Sequence, residues 1–244
     1  MITAIIQARV GSKRFPNKIF ADISGKPLIF HVINRLKKSN KIENIVVATT
    51  LNPLDNAIET WANQNKVNCF RGDEDNVLSR FYFAAKEYKA KIIVRITADD
   101  PFKDYRIIDK VISILISKNL SFAYNNNPPS FPEGLDTEVF TFNALEKAFR
   151  ESTDSFEKEH VTQYFYRNPS LFLQKNISND KNLSHLRWTI DTEKDLEMVK
   201  KIYEKLYYEN NVFLTEDILR LISNHPEIAT INQNVQRSSM YKNI

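Results

Sequence analysis

The chain has 244 residues, 42% of them apolar and 26% charged, with a net charge of +4. That length suits one large compact domain, the balance excludes a disordered chain, and no run of ~18 apolar residues is present to span a membrane. The start, MITAIIQAR, lacks the layout of a secretory signal, and the single cysteine, Cys69, excludes an internal disulfide and a cysteine-rich zinc site. A cytoplasmic location is expected. Only Gly11, Gly25, Gly72 and Gly134 are glycines, so neither a Walker loop nor a dinucleotide fingerprint can be written. Residues 1–40 carry Arg9, Lys13, Arg14, Lys18, Lys26, Arg35, Lys37 and Lys38 against one acid, Asp22. Such a local basic excess points to an anionic small ligand rather than to nucleic acid.

In chain order, Thr3 to Ala8 reads as a buried strand and 27–38 as a helix, with Pro27 in its first turn. A strand is expected at 45–49, a helix from Asn52 to about Gln64, a strand at 67–70 and a helix at about 75–86. A fourth strand at 91–96 stops at Ala98-Asp99-Asp100-Pro101, and a helix follows at about 105–117. This alternation predicts an α/β fold: a mostly parallel sheet with helices on both faces and ligands beyond the carboxyl ends of its strands. The second half is less regular. Strands are expected at 121–125, 136–141, 171–177 and 186–190, and helices at 142–150, 156–167, 192–208 and 215–223. We read 1–231 as a single domain in two halves, 1–120 and 121–231, followed by a polar tail, 232–244.

Three segments carry chemistry. Arg9-Val10-Gly11-Ser12-Lys13-Arg14-Phe15-Pro16-Asn17-Lys18 puts four cations, a glycine and a hydroxyl directly after the first strand, a composition that suits phosphate. Asp99 and Asp100 end the fourth strand, where carboxylates can hold Mg²⁺ or, equally, enter a helix through a capping turn. Asp191 ends a late strand and could add a second carboxylate; alternatively it or Thr192 caps the next helix, with a capping box to Asp195. His31, His225, Trp188 and Cys69 read as structural.

Taken together, AIIQARVGSKRFPNKIF, ITADDPF, RGDEDNVLSRFYFAAK, FPEGLDTEVFTFNALEKA, EHVTQYF and SHLRWTIDTEKDLEMVKKIY resemble the cytidylyltransferases that activate acidic sugars. Within them they are most similar to the spore coat polysaccharide biosynthesis (SpsF) branch. The resemblance implies a Rossmann-like nucleotidyltransferase fold of the GT-A type, three layers deep with a mixed central sheet. It also implies CTP as donor, an anionic sugar as acceptor, Mg²⁺ and a homodimer. Carried over by motif, Arg9, Gly11, Ser12, Arg14 and Lys18 would bind the triphosphate, with Lys18 and Arg14 steadying the leaving pyrophosphate. Asp99 and Asp191 would hold Mg²⁺. Arg71, Asp75 and Arg80 would lie near the nucleoside, and Asp136, Glu138, His160 and Tyr164 near the acceptor. Three departures stand out: Asp100 where the branch commonly has Cys, Phe15 where it often has Leu, and Gln163 where it often has Pro.

The chemistry expected is attack of an acceptor oxygen on the α-phosphorus of CTP, which asks the protein mainly for positioning and charge neutralisation. One rival is a glycosyltransferase on a related scaffold, with its metal on an Asp-x-Asp triplet. The other is a non-catalytic nucleotide-binding protein. The proline-rich loop Phe131-Pro132-Glu133-Gly134, leading into Asp136-Thr137-Glu138, and the aromatics Tyr164, Phe165 and Tyr166 suggest that residues around 131–165 form an acceptor pocket and part of a dimer contact, as the resemblance implies; packing of those aromatics on the chain's own sheet is the alternative.

Overall fold

The computed structural model describes residues 1–12, 14–208 and 211–236. Lys13, one of the loop cations, and 237–244 of the expected tail lie outside the described residues. The strands are β1 (Ile2–Gln7), β2 (Asp22–Ile23), β3 (Lys26–Pro27), β4 (Asn44–Thr50), β5 (Asn68–Gly72), β6 (Ile92–Thr97), β7 (Phe122–Tyr124), β8 (Glu138–Thr141) and β9 (Gln174–Asn176). The helices are α1 (Leu28–Leu36), α2 (Asn56–Gln64), α3 (Val77–Glu87), α4 (Tyr105–Ser117), α5 (Phe142–Glu151), α6 (Ser155–His160) and α7 (Gln163–Arg167). Closing the chain are α8 (Glu193–Leu206), α9 (Thr215–Asn224) and α10 (Pro226–Thr230). None of these helices is long and apolar enough to cross a membrane.

One seven-stranded sheet runs β5-β4-β1-β6-β8-β7-β9. Its pairings are parallel except where β8 runs against β6 and β7. The fold is therefore α/β with a mostly parallel, mixed sheet. Strand alternation assigns the two faces: Ala4, Ile6, Val94 and Ile96 enter one core, while Ile5 and Ile93 enter the other. The first core is covered by the apolar faces of α1, α2, α4 and α8, the second by α3, α5 and α7. Three layers result, and the carboxyl ends of β1 and β6 lie side by side at the centre of the sheet.

Several expectations are corrected. Leu186–Ile190 is not a strand: Arg187 makes a single bridge to Glu133. Its backbone is engaged by loops instead, Trp188 N–H donating to Glu133 O at 2.8 Å and Ile190 N–H to Asp99 O at 2.9 Å. The helix expected at 156–167 is interrupted at the buried Val161, whose φ of 54° lies in the left-handed region. Of 171–177 only Gln174–Asn176 pairs, because Pro169–Leu171 forms a 3₁₀ turn. Helix α10, entered through Pro226, was not anticipated.

Candidate functional site

The loop after β1 is held by a residue the sequence reading did not single out. Asp55 is 2% exposed, and its Oδ1 accepts from Val10 N–H at 2.7 Å. Its Oδ2 accepts from the hydroxyl of Thr50 at the end of β4. Asp55 thereby ties the basic loop to the neighbouring strand, and the loop then turns back, Asn17 N–H donating to Val10 O at 3.0 Å. Only a buried acid within a short apolar-flanked turn, Asn52-Pro53-Leu54-Asp55, could have signalled it.

This path delivers Lys18 to the ends of two distant segments. Its ammonium lies 2.7 Å from Asp99 Oδ2 and 2.7 Å from Asp191 Oδ1, and it donates to the carbonyl of Ile190 at 2.9 Å. Burial alone would lower the Lys18 pKa; the two carboxylates outweigh it and raise the pKa above the ordinary lysine value. Asp99 shows the converse, since burial would raise it but Lys18 holds it below the usual carboxylate range. The three oxygens facing the ammonium are hard donors of the kind Mg²⁺ takes. Among the described residues no group of three or more His, Cys, Asp or Glu side chains could hold a metal. A cation on this pair would therefore complete its shell from phosphate or water.

Asp191 is not the helix cap. Thr192 and Asp195 form the capping box of α8, which leaves the Asp191 carboxylate free for other partners. Its Oδ2 lies 3.0 Å from Arg14 Nη2 and 3.2 Å from Arg187 Nη2. Arg187, 8% exposed, also reaches Asp195 at 2.9 Å and Glu133 at 2.8 Å. Asn232 closes this network, donating to Asp195 Oδ1 at 2.8 Å and to Arg187 O at 3.1 Å. Asp100 turns away from Lys18: it accepts from Thr97 Oγ1 at 2.6 Å and pairs with Lys103 at 2.9 Å. Burial lifts its pKa to about 6, with Lys103 opposing and Asp99 adding to the shift.

Of these groups Arg14, Asp99, Asp100, Lys103, Glu133 and Asp191 line a cleft of about 750 Å³ at the carboxyl ends of β1 and β6. A smaller space of about 290 Å³ adjoins it, bounded by Ser12, Arg14, Lys18, Asp99 and Asp191. Along another wall stand Arg9 and Arg80. Burial and the nearby Arg9 lower the Arg80 pKa to about 10, and Asp55, Asp73 and Glu74 offset this only in part. The Arg80 Nε has no hydrogen-bond partner among the described residues. At the far end Glu138, 4% exposed, pairs with Arg95 and accepts from Thr162 Oγ1 at 2.9 Å, with the Tyr166 hydroxyl 2.8 Å away. Burial would raise the Glu138 pKa, and Arg95 holds it low. His160 borders the same end, and burial lowers its pKa.

The structure thus brings Arg9, Gly11, Ser12, Arg14, Lys18, Asp75, Arg80, Asp99, Asp136, Glu138, His160 and Asp191 to one connected cleft. Two expected residues are not brought there. The Arg71 guanidinium is engaged by the carbonyls of Thr50 and Asn52 and by Glu59, on the α2 side of β5. Tyr164 is 8% exposed, donates to Glu151 at 2.7 Å and packs in the second core. Phe165 is fully buried there against Phe122, Phe140 and Phe172, so these two rings pack on the chain's own sheet. An Asp-x-Asp triplet, the metal motif of the glycosyltransferase rival, is not expected in this chain, and that expectation is corrected: Asp73-Glu74-Asp75 is one. Asp73 Oδ1 accepts from the N–H groups of Asp75 and Asn76 at 2.9 and 2.7 Å, so it shapes the turn into α3.

The chain resembles known proteins over nearly its whole length. The profile of the cytidylyltransferase family matches residues 3–222. An uncharacterized protein of Methanocaldococcus jannaschii is 40% identical over 98% of this chain and 97% of its own. The spore coat polysaccharide biosynthesis protein SpsF of Bacillus subtilis is 30% identical over 94% of this chain and 97% of its own. A solved cytidylyltransferase from Leptospira borgpetersenii serovar Hardjo-bovis superposes with a TM-score of 0.90 at 32% identity, covering 97% of this chain and 98% of that one. With a family match over most of its length and a full-length structural counterpart, the chain belongs to the cytidylyltransferase family and is a CTP-dependent nucleotidyltransferase.

Proposed function

We propose that the chain transfers CMP from CTP to an anionic sugar, a ulosonic or nonulosonic acid or a sugar-phosphate-like acceptor, with Mg²⁺ and with release of pyrophosphate. The setting is surface-polysaccharide biosynthesis, in keeping with the name of the Bacillus subtilis relative, and the location is the cytoplasm. The observation that carries this reading is Lys18, held 2.7 Å from both Asp99 and Asp191 at the foot of a basic loop. A phosphate-binding loop and a pair of hard oxygen donors meet there in one cleft.

In the proposed reaction the acceptor hydroxyl forms a bond to the α-phosphorus while the bond from that phosphorus to the β-phosphate oxygen breaks. The hydroxyl proton is released to solvent and pyrophosphate departs. Arg9, Arg14 and the N–H groups near Gly11 and Ser12 neutralise and orient the triphosphate. Lys18 meets charge that develops on the leaving pyrophosphate. Asp75 and Arg80 lie on the nucleoside side. Asp136, Glu138 and His160 line the acceptor side, where Arg95 keeps Glu138 ionised and His160 is a neutral hydrogen-bonding group at neutral pH. Mg²⁺ on Asp99 and Asp191 would shield the α-phosphate and lower the pKa of the attacking hydroxyl. The proposal includes a homodimer, for which a solution mass near twice 28.5 kDa is expected.

The test is pyrophosphate release with CTP, Mg²⁺ and a panel of anionic sugars, with ATP, GTP and UTP as controls. Release of a nucleoside diphosphate from a nucleotide sugar instead would point to glycosyl transfer. CTP binding without turnover across the panel would point to a non-catalytic binder.

A further inference from the structure

We propose that the Lys18 ammonium is the resident counter-cation of the Asp99–Asp191 pair and leaves it for the triphosphate when CTP arrives, so that metal and nucleotide enter together. This rests on the metal role proposed above for those two aspartates. It goes beyond that role by making metal affinity conditional on a lysine.

The position of the ammonium is the first ground. It lies 2.7 Å from each carboxylate and 2.9 Å from the Ile190 carbonyl, at the point on which all three oxygens converge. A divalent ion shared by the two carboxylates needs the same point, at shorter contacts of about 2.0–2.1 Å for Mg²⁺. Ammonium and metal therefore exclude one another.

The second ground is electrostatic. The two carboxylate side chains are only 24% and 14% exposed, and like charges this close, and this poorly hydrated, need a cation between them. The third is the small number of donors. With no third acidic or imidazole side chain grouped at the site among the described residues, the protein alone offers a metal little to hold it. Nucleotide phosphates are the donors that would make the exchange favourable.

Finally, Lys18 has somewhere to go. The adjoining space of about 290 Å³ is bounded by Lys18 itself and by Ser12 and Arg14 of the basic loop. The lysine stem is flexible, and its ammonium binds phosphate as a compact point charge. Swinging the head from the carboxylates into that space replaces two carboxylate contacts by phosphate contacts, with no change in the fold.

The experiment reads metal binding without turnover. Free Mn²⁺ is titrated by electron paramagnetic resonance against wild type, Lys18→Met and Lys18→Met/Asp99→Asn, each with and without the non-hydrolysable α,β-methylene analogue of CTP. Without nucleotide, Lys18→Met is expected to bind Mn²⁺ at least about tenfold more tightly than wild type. The added Asp99→Asn change should abolish that gain. In wild type the analogue should raise Mn²⁺ affinity by a similar factor. Should Lys18→Met fold poorly, Lys18→Gln serves in its place, and the wild-type arm needs no variant. Equal Mn²⁺ affinity of wild type and Lys18→Met without nucleotide would overturn the exchange. If the analogue still drew Mn²⁺ into wild type in that case, the metal reading of Asp99 and Asp191 would survive. Failure of the analogue to draw Mn²⁺ into any of the proteins would overturn both.

Discussion

Gly134 is the position where a single methyl group should do most harm. Its φ is +104°, a conformation that L side chains rarely adopt. A Cβ placed there would lie 2.8 Å from both the carbonyl carbon and the oxygen of Trp188, and 3.1 Å from Thr189 N. These are backbone atoms and they cannot drift. Trp188 N–H is bonded to Glu133 O at 2.8 Å, and two residues on Ile190 N–H is bonded to Asp99 O at 2.9 Å. Gly134→Ala therefore meets two separate penalties. Forcing a non-glycine residue into a sparsely populated backbone region costs about 1–3 kcal/mol. Overpacking against fixed atoms costs a similar amount, about 1–3 kcal/mol. Together they predict a loss of about 2–6 kcal/mol, read from urea unfolding followed by circular dichroism. The same displacement runs along 188–191 to the Asp191 carboxylate, so kcat/KM for CTP should fall as well. For stability Gly11→Ala is the matched control, because its Cβ would meet nothing within 4 Å and its φ is not positive. A Gly134→Ala protein within about 0.5 kcal/mol of wild type would refute the reasoning.

Asp99→Asn and Asp191→Asn should each lower turnover by about 100-fold or more while melting within a few degrees of wild type, since Lys18 and Arg187 keep other acidic partners; full activity in Asp191→Asn would remove it from the chemistry. Arg14→Ala should weaken CTP use by about ten- to a hundredfold but leave CMP binding nearly unchanged, because the 53% exposed guanidinium sits by the loop assigned to the triphosphate; isothermal titration with both nucleotides checks it, and an equal loss would refute it. Glu138→Ala should destabilise by about 3–5 kcal/mol, as it removes the carboxylate that is ion-paired with the buried Arg95, whereas Glu138→Gln should fold and show its defect in acceptor KM. His31 is 2% exposed and burial lowers its pKa to about 4, so the unfolded chain takes up more protons as pH falls from about 6.5 to 4. Stability should therefore drop across that window, by up to about 3 kcal/mol from this group, and urea midpoints should show a flatter pH profile in His31→Gln.

The first half, 1–120, is legible in the residues because its signals are local. An apolar run such as Ile2–Gln7 must bury both faces, and the periodic Leu28, Val32 and Leu36 must cover one of them. Pattern alone thus determines the alternating α/β order and places the basic loop and Asp99 at carboxyl ends of strands. Asp191 is different. Its segment reads as a strand end, yet Leu186–Ile190 joins no sheet, and loop bonds to Glu133 and Asp99 bring it beside Lys18. The same holds for Asp55, Arg187 and Asn232, whose work is to hold other residues across separations of 45, 54 and 37 positions in the chain. Tyr164 and Arg71 err in the opposite sense, as residue type suggested a ligand contact while packing gave each an internal partner. Composition and periodicity record which groups prefer burial or charge, and so determine elements and the kind of ligand. Which charges neutralise one another is decided by long-range packing, because a buried ion is satisfied only by whichever partner the fold carries to it.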